Sequence, residues 1–230
     1  PLLKAERGAV VHFAISETDI QMTTKLDGEK TRFLPFNKGC NGHAGNPKAT
    51  KANPYPVSFF WKELGKKDAW LGLFHNFAFR EESQFTDQFG IVKTKSSLVF
   101  PRYHQWRAVT HMVADAKKYG AGQKYLIEHS AGSGKTKTIT WTAFQLSMLR
   151  DQKGDAYFDT ILVMSDRKVL DNQLSKAVRQ FNTIQGLVQP ITDKRGSKTA
   201  ALVEALEDGK RIVVVTIQTF PFAMEQIILN

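Results

Sequence analysis

His129-Ser130-Ala131-Gly132-Ser133-Gly134-Lys135-Thr136 is the stretch that most restricts what this chain can become. It follows a short apolar run, Tyr125 to Glu128, expected as a strand, and it precedes a segment expected as a helix. Glycines in such a loop let successive backbone N–H groups turn inward around phosphate oxygens, and the following helix adds its positive end. In that arrangement Lys135 reaches the β- and γ-phosphates of a nucleotide and Thr136 ligates Mg²⁺, with Gly132, Ser133 and Gly134 forming the cradle. The competing reading is a glycine-rich turn with no ligand. The first position of G-x-x-x-x-G-K-[ST] is His129 here. Phosphate contacts do not themselves require a glycine there, so the departure bears on the family more than on the chemistry.

Alternation of strands and helices around this loop sets the fold class. Pro101 suits the first turn of a helix carrying Trp106, Val109, Val113 and Ala116 at helical spacing, stopped by Gly120. Strands are expected at Tyr125–Glu128, Thr160–Met164 and Ile212–Thr216, each short and apolar. Leu170, Leu174, Val178 and Phe181 make one helical stripe, and Ala200, Val203 and Leu206 make another, started near Ser197 and ended by Gly209. Such alternation predicts an α/β fold with a parallel, doubly wound sheet over residues 101–230.

Residues 1–66 read differently. Val11, Phe13 and Ile15 alternate with His12 and Ala14, and Ile20, Met22, Thr24 and Leu26 repeat the period of two, which is the strand signature. Asp27-Gly28 suits a tight turn before a third strand, Thr31 to Phe36. Three glycines and three prolines between residues 37 and 56 predict a long loop. Asp68 fits an N-cap for a helix with Leu71, Phe74 and Phe77 on one face, and residues 80–99 read as a mixed, polar connection. Residues 67–100 are therefore taken as an interdomain segment.

Net charge is +10, with a pI near 9.6, which raises the prior for a polyanionic partner. Between Lys30 and Lys67 eight Lys plus Arg stand against one acid, Glu63. Lys38, Lys48 and Lys51 in this run read either as a solvated face or as a surface that contacts nucleic-acid phosphates. No apolar run approaches the length of a membrane span, and one cysteine, Cys40, excludes an internal disulfide. With no basic leader before an apolar region, the expectation is an internal piece of a longer cytoplasmic protein.

Three further stretches carry chemistry. Gln105, in Arg102-Tyr103-His104-Gln105-Trp106-Arg107, can donate and accept at once, as the edge of adenine requires. Alone it reads as a surface glutamine; thirty residues before Lys135, it reads as an adenine contact. Ser165, Asp166 and Arg167 follow an apolar strand, where open α/β sheets present ligand-facing groups; Asp166 also suits a helix N-cap. Thr216 to Phe220 repeats that geometry after the strand Ile212–Thr216.

Together these four stretches resemble the R (restriction and translocation) subunit of type I restriction-modification enzymes, whose motor is a superfamily-2 helicase-like ATPase. Arg102-Tyr103-His104-Gln105 is similar to the family's adenine-recognising segment, and His129 to Thr136 to its motif I, in which His commonly replaces the first Gly. Ser165-Asp166-Arg167 with Leu170 and Gln173 is similar to its motif Ia, and Thr216 to Phe220 to the next DNA-contacting motif. Upstream, Val11-His12-Phe13-Ala14, Met22-Thr23-Thr24-Lys25-Leu26, Phe33-Leu34-Pro35-Phe36-Asn37 and Gly45-Asn46-Pro47 resemble the segment joining the family's nuclease domain to its motor.

The resemblance implies a RecA-like lobe over residues 101–230, preceded by the remnant of a PD-(D/E)xK nuclease domain over 1–66. It implies ATP and Mg²⁺ as cofactors, with double-stranded DNA and the methylation and specificity subunits as partners, in a bacterial or archaeal cytoplasm. The parent would be an ATP-dependent site-specific deoxyribonuclease. The family's acid pair, which holds Mg²⁺ and orients water, is expected soon after Phe220, and no Asp-Glu pair occurs in the chain. Asp27-Gly28-Glu29-Lys30 reads as a turn and not as a nuclease motif. These 230 residues are accordingly expected to bind ATP weakly and hydrolyse essentially none. Two other function classes remain open at this point: a P-loop kinase or NTPase without nucleic acid, and a binding module with a vestigial loop.

Overall fold

The computed structural model describes residues 8–166, 174, 175, 177, 188–191 and 197–229, and side chains up to residue 225. The chain divides into two compact units, Pro1–Arg107 and Ala108–Asn230. The division falls within one helix, α2 (Tyr103–Tyr119).

In the first unit, β1 (His12–Ile15), β2 (Ile20–Thr23) and β3 (Leu34–Pro35) form an antiparallel sheet in that order. Ile20 pairs with Ile15 across β1 and β2, and Met22 pairs with Leu34 across β2 and β3. The turn after Asp27 forms as expected, with Gly28 at φ +54° and Lys30 N–H bonded to the Asp27 carbonyl at 3.1 Å.

Residues 37–46, expected as open loop, are folded by two asparagines. Asn37 Oδ1 accepts the Ile20 N–H and the Asn46 amide, each at 2.9 Å, while the Asn37 amide donates to Asp19. Asn46 Oδ1 accepts the Lys38 N–H at 2.8 Å. The side chains replace the ladder that glycine and proline deny this segment. Behind the sheet lies an aromatic cluster: Phe13 meets Phe36, Phe60, Trp70 and Phe100 edge to face at 4.9–6.3 Å between centroids.

A π-helical turn, Phe60–Leu64, leads into α1 (Lys67–Asn76). Its buried face is Leu73, fully enclosed, followed by Phe77 just past the helix; Leu71 and Phe74 stand 56% and 41% exposed. The expected stripe of Leu71, Phe74 and Phe77 is thus turned, and Lys66 takes the N-cap position with Asp68 in the first turn. Residues 79–99, expected as irregular, form a hairpin of β4 (Phe79–Thr86) and β5 (Val92–Val99) with eight pairs in register. Asp87 closes it by accepting the N–H groups of Phe89 and Ile91 and pairing with Lys93 at 2.7 Å.

The second unit is a mixed α/β layer structure. After α2 come α3 (Lys135–Met148), β6 (Ile161–Ser165), β7 (Val188–Pro190), α4 (Lys198–Glu207), β8 (Ile212–Thr216) and α5 (Phe220–Leu229). The sheet runs β6-β8-β7, and both pairings are parallel. β8 is central, and Ile212 through Val215 are wholly enclosed. Alternate side chains serve opposite faces: Ile212 and Val214 pack with Val163 and with Ala143 of α3, Val213 and Val215 with Leu202 of α4 and Ala223 of α5. Helices therefore cover both faces, as the strand and helix alternation predicts. Ser197 occupies the N-cap position of α4.

Tyr125–Glu128 departs from expectation. No strand among the described residues pairs with it, and Leu126 is 92% exposed. An apolar run becomes a strand only where a neighbouring backbone offers a ladder, and β6, β8 and β7 pair with one another instead. Of the helix expected over 170–181, only residues 174, 175 and 177 are among the described residues, and Leu174 is buried beside Val163.

Candidate functional site

Gly132 and Gly134 hold the loop before α3 in shape. Their φ values are +72° and +87°, a left-handed conformation that costs other residues about 1–2 kcal/mol each. A Cβ on Gly132 would meet nothing within 4 Å, so backbone conformation alone demands glycine there. Ser133 N–H bonds to the Ser130 carbonyl at 3.3 Å, and Gly134, as N-cap, receives the Lys137 and Thr138 N–H groups at 3.0 and 3.2 Å. The result is a compact turn delivered onto a helix N-terminus, where unpaired N–H groups and the helix dipole favour anions.

Lys135 curls back over this turn. Its ammonium donates to the carbonyls of His129 at 2.8 Å and Ser130 at 2.9 Å. Thr136 sits half-buried in the first turn of α3. Deeper in that helix, Thr140 and Thr142 hydroxyls donate to the carbonyls four residues back and Ser147 to that of Phe144, so polar residues can be buried against the sheet. Beside the loop lies a largely apolar cavity of about 390 Å³, with His129, Lys135 and Thr138 on its polar side and Ile139, Leu146 and Val163 among its apolar walls.

Ser165 and Thr216 are paired in register at the carboxyl ends of β6 and β8, and both are buried. The Ser165 carbonyl accepts the Ile217 N–H at 2.8 Å, the Asp166 carbonyl accepts the Gln218 amide at 3.0 Å, and Thr216 and Thr219 share a hydroxyl hydrogen bond at 3.0 Å. The two strand-end stretches thus converge on one sheet edge. A cleft of about 380 Å³ opens there, lined by Asp166, Thr216, Gln218 and Thr219 together with Lys198 and Thr199. Lys198 and Thr199 are the additions that sequence reasoning missed, because only the crossover from β7 to β8 brings the start of α4 to this edge. Arg167 lies outside the described residues.

Gln105 belongs to the first unit. It is 4% exposed, and its Oε1 accepts the Arg102 N–H at 2.9 Å. Arg102 is the N-cap of α2 and Gln105 its third residue, so this is the returning half of a capping box. The surrounding block is structural as well: Arg102 Nε donates to the Pro35 carbonyl at 3.0 Å, and the enclosed Tyr103 donates its hydroxyl to Glu63 Oε2 at 2.6 Å. Burial first, then the hydrogen bond to Glu63, pushes the Tyr103 phenol up to about 12. For Glu63, burial pulls upward, but hydrogen bonds from Lys38 and Tyr103 outweigh it and leave the carboxyl below its ordinary value.

Of the lysines expected to contact phosphates, Lys38 has its ammonium paired with Glu63. Lys48 and Lys51 are exposed. Among the described residues no group of three His, Cys, Asp or Glu could hold a metal ion, and no helix is long and apolar enough to cross a membrane.

A family model described as SWI2/SNF2 ATPase matches residues 104–228, more than half of the chain. No curated protein and no solved structure matches it. A glycine-built loop on a helix N-terminus, a parallel sheet covered on both faces and this match lead to one assignment: the chain belongs to the SWI2/SNF2 ATPase family, and residues 104–228 are a superfamily-2 helicase-like ATPase region.

Proposed function

We propose that this chain is the ATP-binding front of a DNA translocase motor with a RecA-like first lobe, and that its parent is the R subunit of a type I restriction-modification enzyme. The observation that carries the motor reading is the loop Gly132–Thr136, built on two left-handed glycines and seated on α3. Its N–H groups and Lys135 suit the phosphates of ATP, which would take over the ammonium from the His129 and Ser130 carbonyls. Thr136 is the residue that would hold Mg²⁺, and the ion would neutralise charge on the β- and γ-phosphates. Gln105 would select adenine. Duplex DNA would be held at the carboxyl edge of β6 and β8, by Ser165, Asp166, Arg167 and Thr216, and along Lys48 and Lys51. The β-sheet before β4 would be the remnant of the nuclease domain. The finer assignment rests on the upstream segments quoted above, whose partners would be the methylation and specificity subunits; another superfamily-2 helicase would share the motor but not those segments.

The test is equilibrium titration with a fluorescent ATP analogue plus Mg²⁺, and with duplex DNA at two salt concentrations. Saturable nucleotide binding lost in Lys135→Ala, with DNA affinity falling steeply with salt, is the expected result. Lys198→Gln should reduce the salt slope by about one. Nucleotide binding without any DNA affinity would replace the translocase with a P-loop NTPase that has no nucleic-acid partner. Co-expression with methylation and specificity subunits tests the finer assignment; failure to form a complex would withdraw it.

A further inference from the structure

Between residues 55 and 65 the first unit is anchored by Val57, Phe59 and Leu64, all buried, and it turns two aromatic rings the other way: Tyr55 is 50% exposed and Trp61 48%. The rings meet edge to face, with centroids 6.1 Å apart. Trp61 sits in the π-helical turn Phe60–Leu64, and a Cβ on Gly65 would run into the Trp61 carbonyl, so the missing side chain at 65 lets the backbone close tightly where the ring is mounted. The pair is therefore presented to solvent from a fixed base.

Its surroundings are basic. Between Lys30 and Lys67 the one acid is Glu63, whose two carboxylate oxygens are taken by Lys38 and Tyr103. Lys51 lies in a turn closed by the Thr50 N–H on the Asn53 carbonyl and by the Asn53 N–H on the Thr50 hydroxyl, each at 3.0 Å. Asn53 Oδ1 accepts the Ser58 hydroxyl at 2.5 Å and the Lys62 ammonium at 3.2 Å, which ties this turn to the segment carrying both rings. Neither Lys51 nor Lys62 is paired with a carboxylate of a described residue. Exposed rings alone would suit any apolar partner, and lysines alone any solvated face. Together they match an unstacked base lying on a ring with its phosphate beside an ammonium. We propose that Tyr55 and Trp61 are a stacking platform for unpaired nucleotides, with Lys51 and Lys62 holding the adjacent phosphates. A duplex keeps its bases stacked on one another, so the ligand is a single-stranded segment. The inference rests on the reading of Lys48 and Lys51 as a nucleic-acid surface and adds the form of nucleic acid that this surface takes.

Trp61 is the one exposed tryptophan of four, since Trp141 is buried and Trp70 and Trp106 are half-buried, so stacking on it is read as quenching of the protein's own fluorescence. The whole chain is titrated with a short oligothymidylate in one arm and a blunt duplex in the other. The single strand should quench, and Trp61→Ala should weaken its binding about tenfold, while Trp61→Phe keeps a ring and most of the affinity. Tyr55→Ala is a second variant with the same expectation as Trp61→Ala, and both side chains are exposed enough for the variants to stay folded. Lys51→Gln should lower the salt slope of single-strand binding by about 0.7. Equal single-strand affinity in Trp61→Ala and the unaltered chain overturns the platform, and the duplex reading still stands if Lys51→Gln weakens duplex binding. Single-strand binding that needs Trp61, without any duplex affinity, supports the platform and withdraws the duplex contact at Lys48 and Lys51. No quenching and no binding in either arm overturns both.

Discussion

Gln105 Oε1 accepts the backbone N–H of Arg102 at 2.9 Å, three residues back along the chain. This bond gives Gln105 a task at the start of α2 that is independent of any nucleotide, and it separates two roles experimentally. Gln105→Ala should cost about 1 kcal/mol through the lost cap. Glutamate also returns to an N-cap N–H, so Gln105→Glu keeps the acceptor used by Arg102 while losing the donor that adenine needs, at a cost in stability from placing a carboxylate at a 4% exposed position. Competition between ATP and GTP then decides. An unchanged preference in Gln105→Glu would remove this residue from the nucleotide site.

Gly134→Ala should lower stability by about 1–2 kcal/mol, because alanine must adopt φ +87° at the N-cap of α3. Gly132→Ala should cost a similar amount even though its side chain meets nothing. Gly132→Asn should be milder, since asparagine tolerates the left-handed region. Urea midpoints measure all three, and equal midpoints for alanine and asparagine at 132 would remove the backbone explanation.

Leu202→Ala and Leu71→Ala form a matched pair. Leu202 is wholly enclosed between α4 and β8, so its truncation should cost about 2–5 kcal/mol; Leu71, 56% exposed, should cost less than about 0.5 kcal/mol. Equal losses in chemical denaturation would mean that α1 buries the face carrying Leu71 after all.

Stability should fall at both ends of the pH scale through the Lys38, Glu63 and Tyr103 network. The Tyr103 phenol is pushed up to about 12 from 10.0, so its contribution is complete below pH 10 and is lost as pH rises toward 12. Glu63 lies below its ordinary 4.5, so its contribution is complete above that value and is lost on further acidification. Tyr103→Phe should flatten the alkaline limb and bring the acid limb closer to that of an ordinary carboxylate. An alkaline limb unchanged in this variant would assign the loss to another group.

What could be read from residues alone tracks how each element is buried. Ile212–Thr216 was legible because a strand covered on both faces must be continuously apolar, and Ser197 to Gly209 because start and stop residues bracket its stripe. The β4–β5 hairpin was not, since both faces meet water and its strands show no alternation. Tyr125–Glu128 has the composition of a strand but no strand partner among the described residues, and Val188–Pro190 is too short to show a period. In the site, Gly132 to Thr136 announces itself through spacing. Lys198 and Thr199 reach the cleft only through a crossover, and the pairing of Lys38 with Glu63 spans 25 residues, beyond any local pattern.

Leu126, almost fully exposed in a run that no strand among the described residues pairs with, also bears on how the protein behaves at high concentration. Apolar side chains next to main-chain groups open to pairing are the seed of intermolecular β-aggregation. A polar replacement at Leu126 removes that seed without touching the buried sheet, and it is the first place to change when the chain is prepared for spectroscopy.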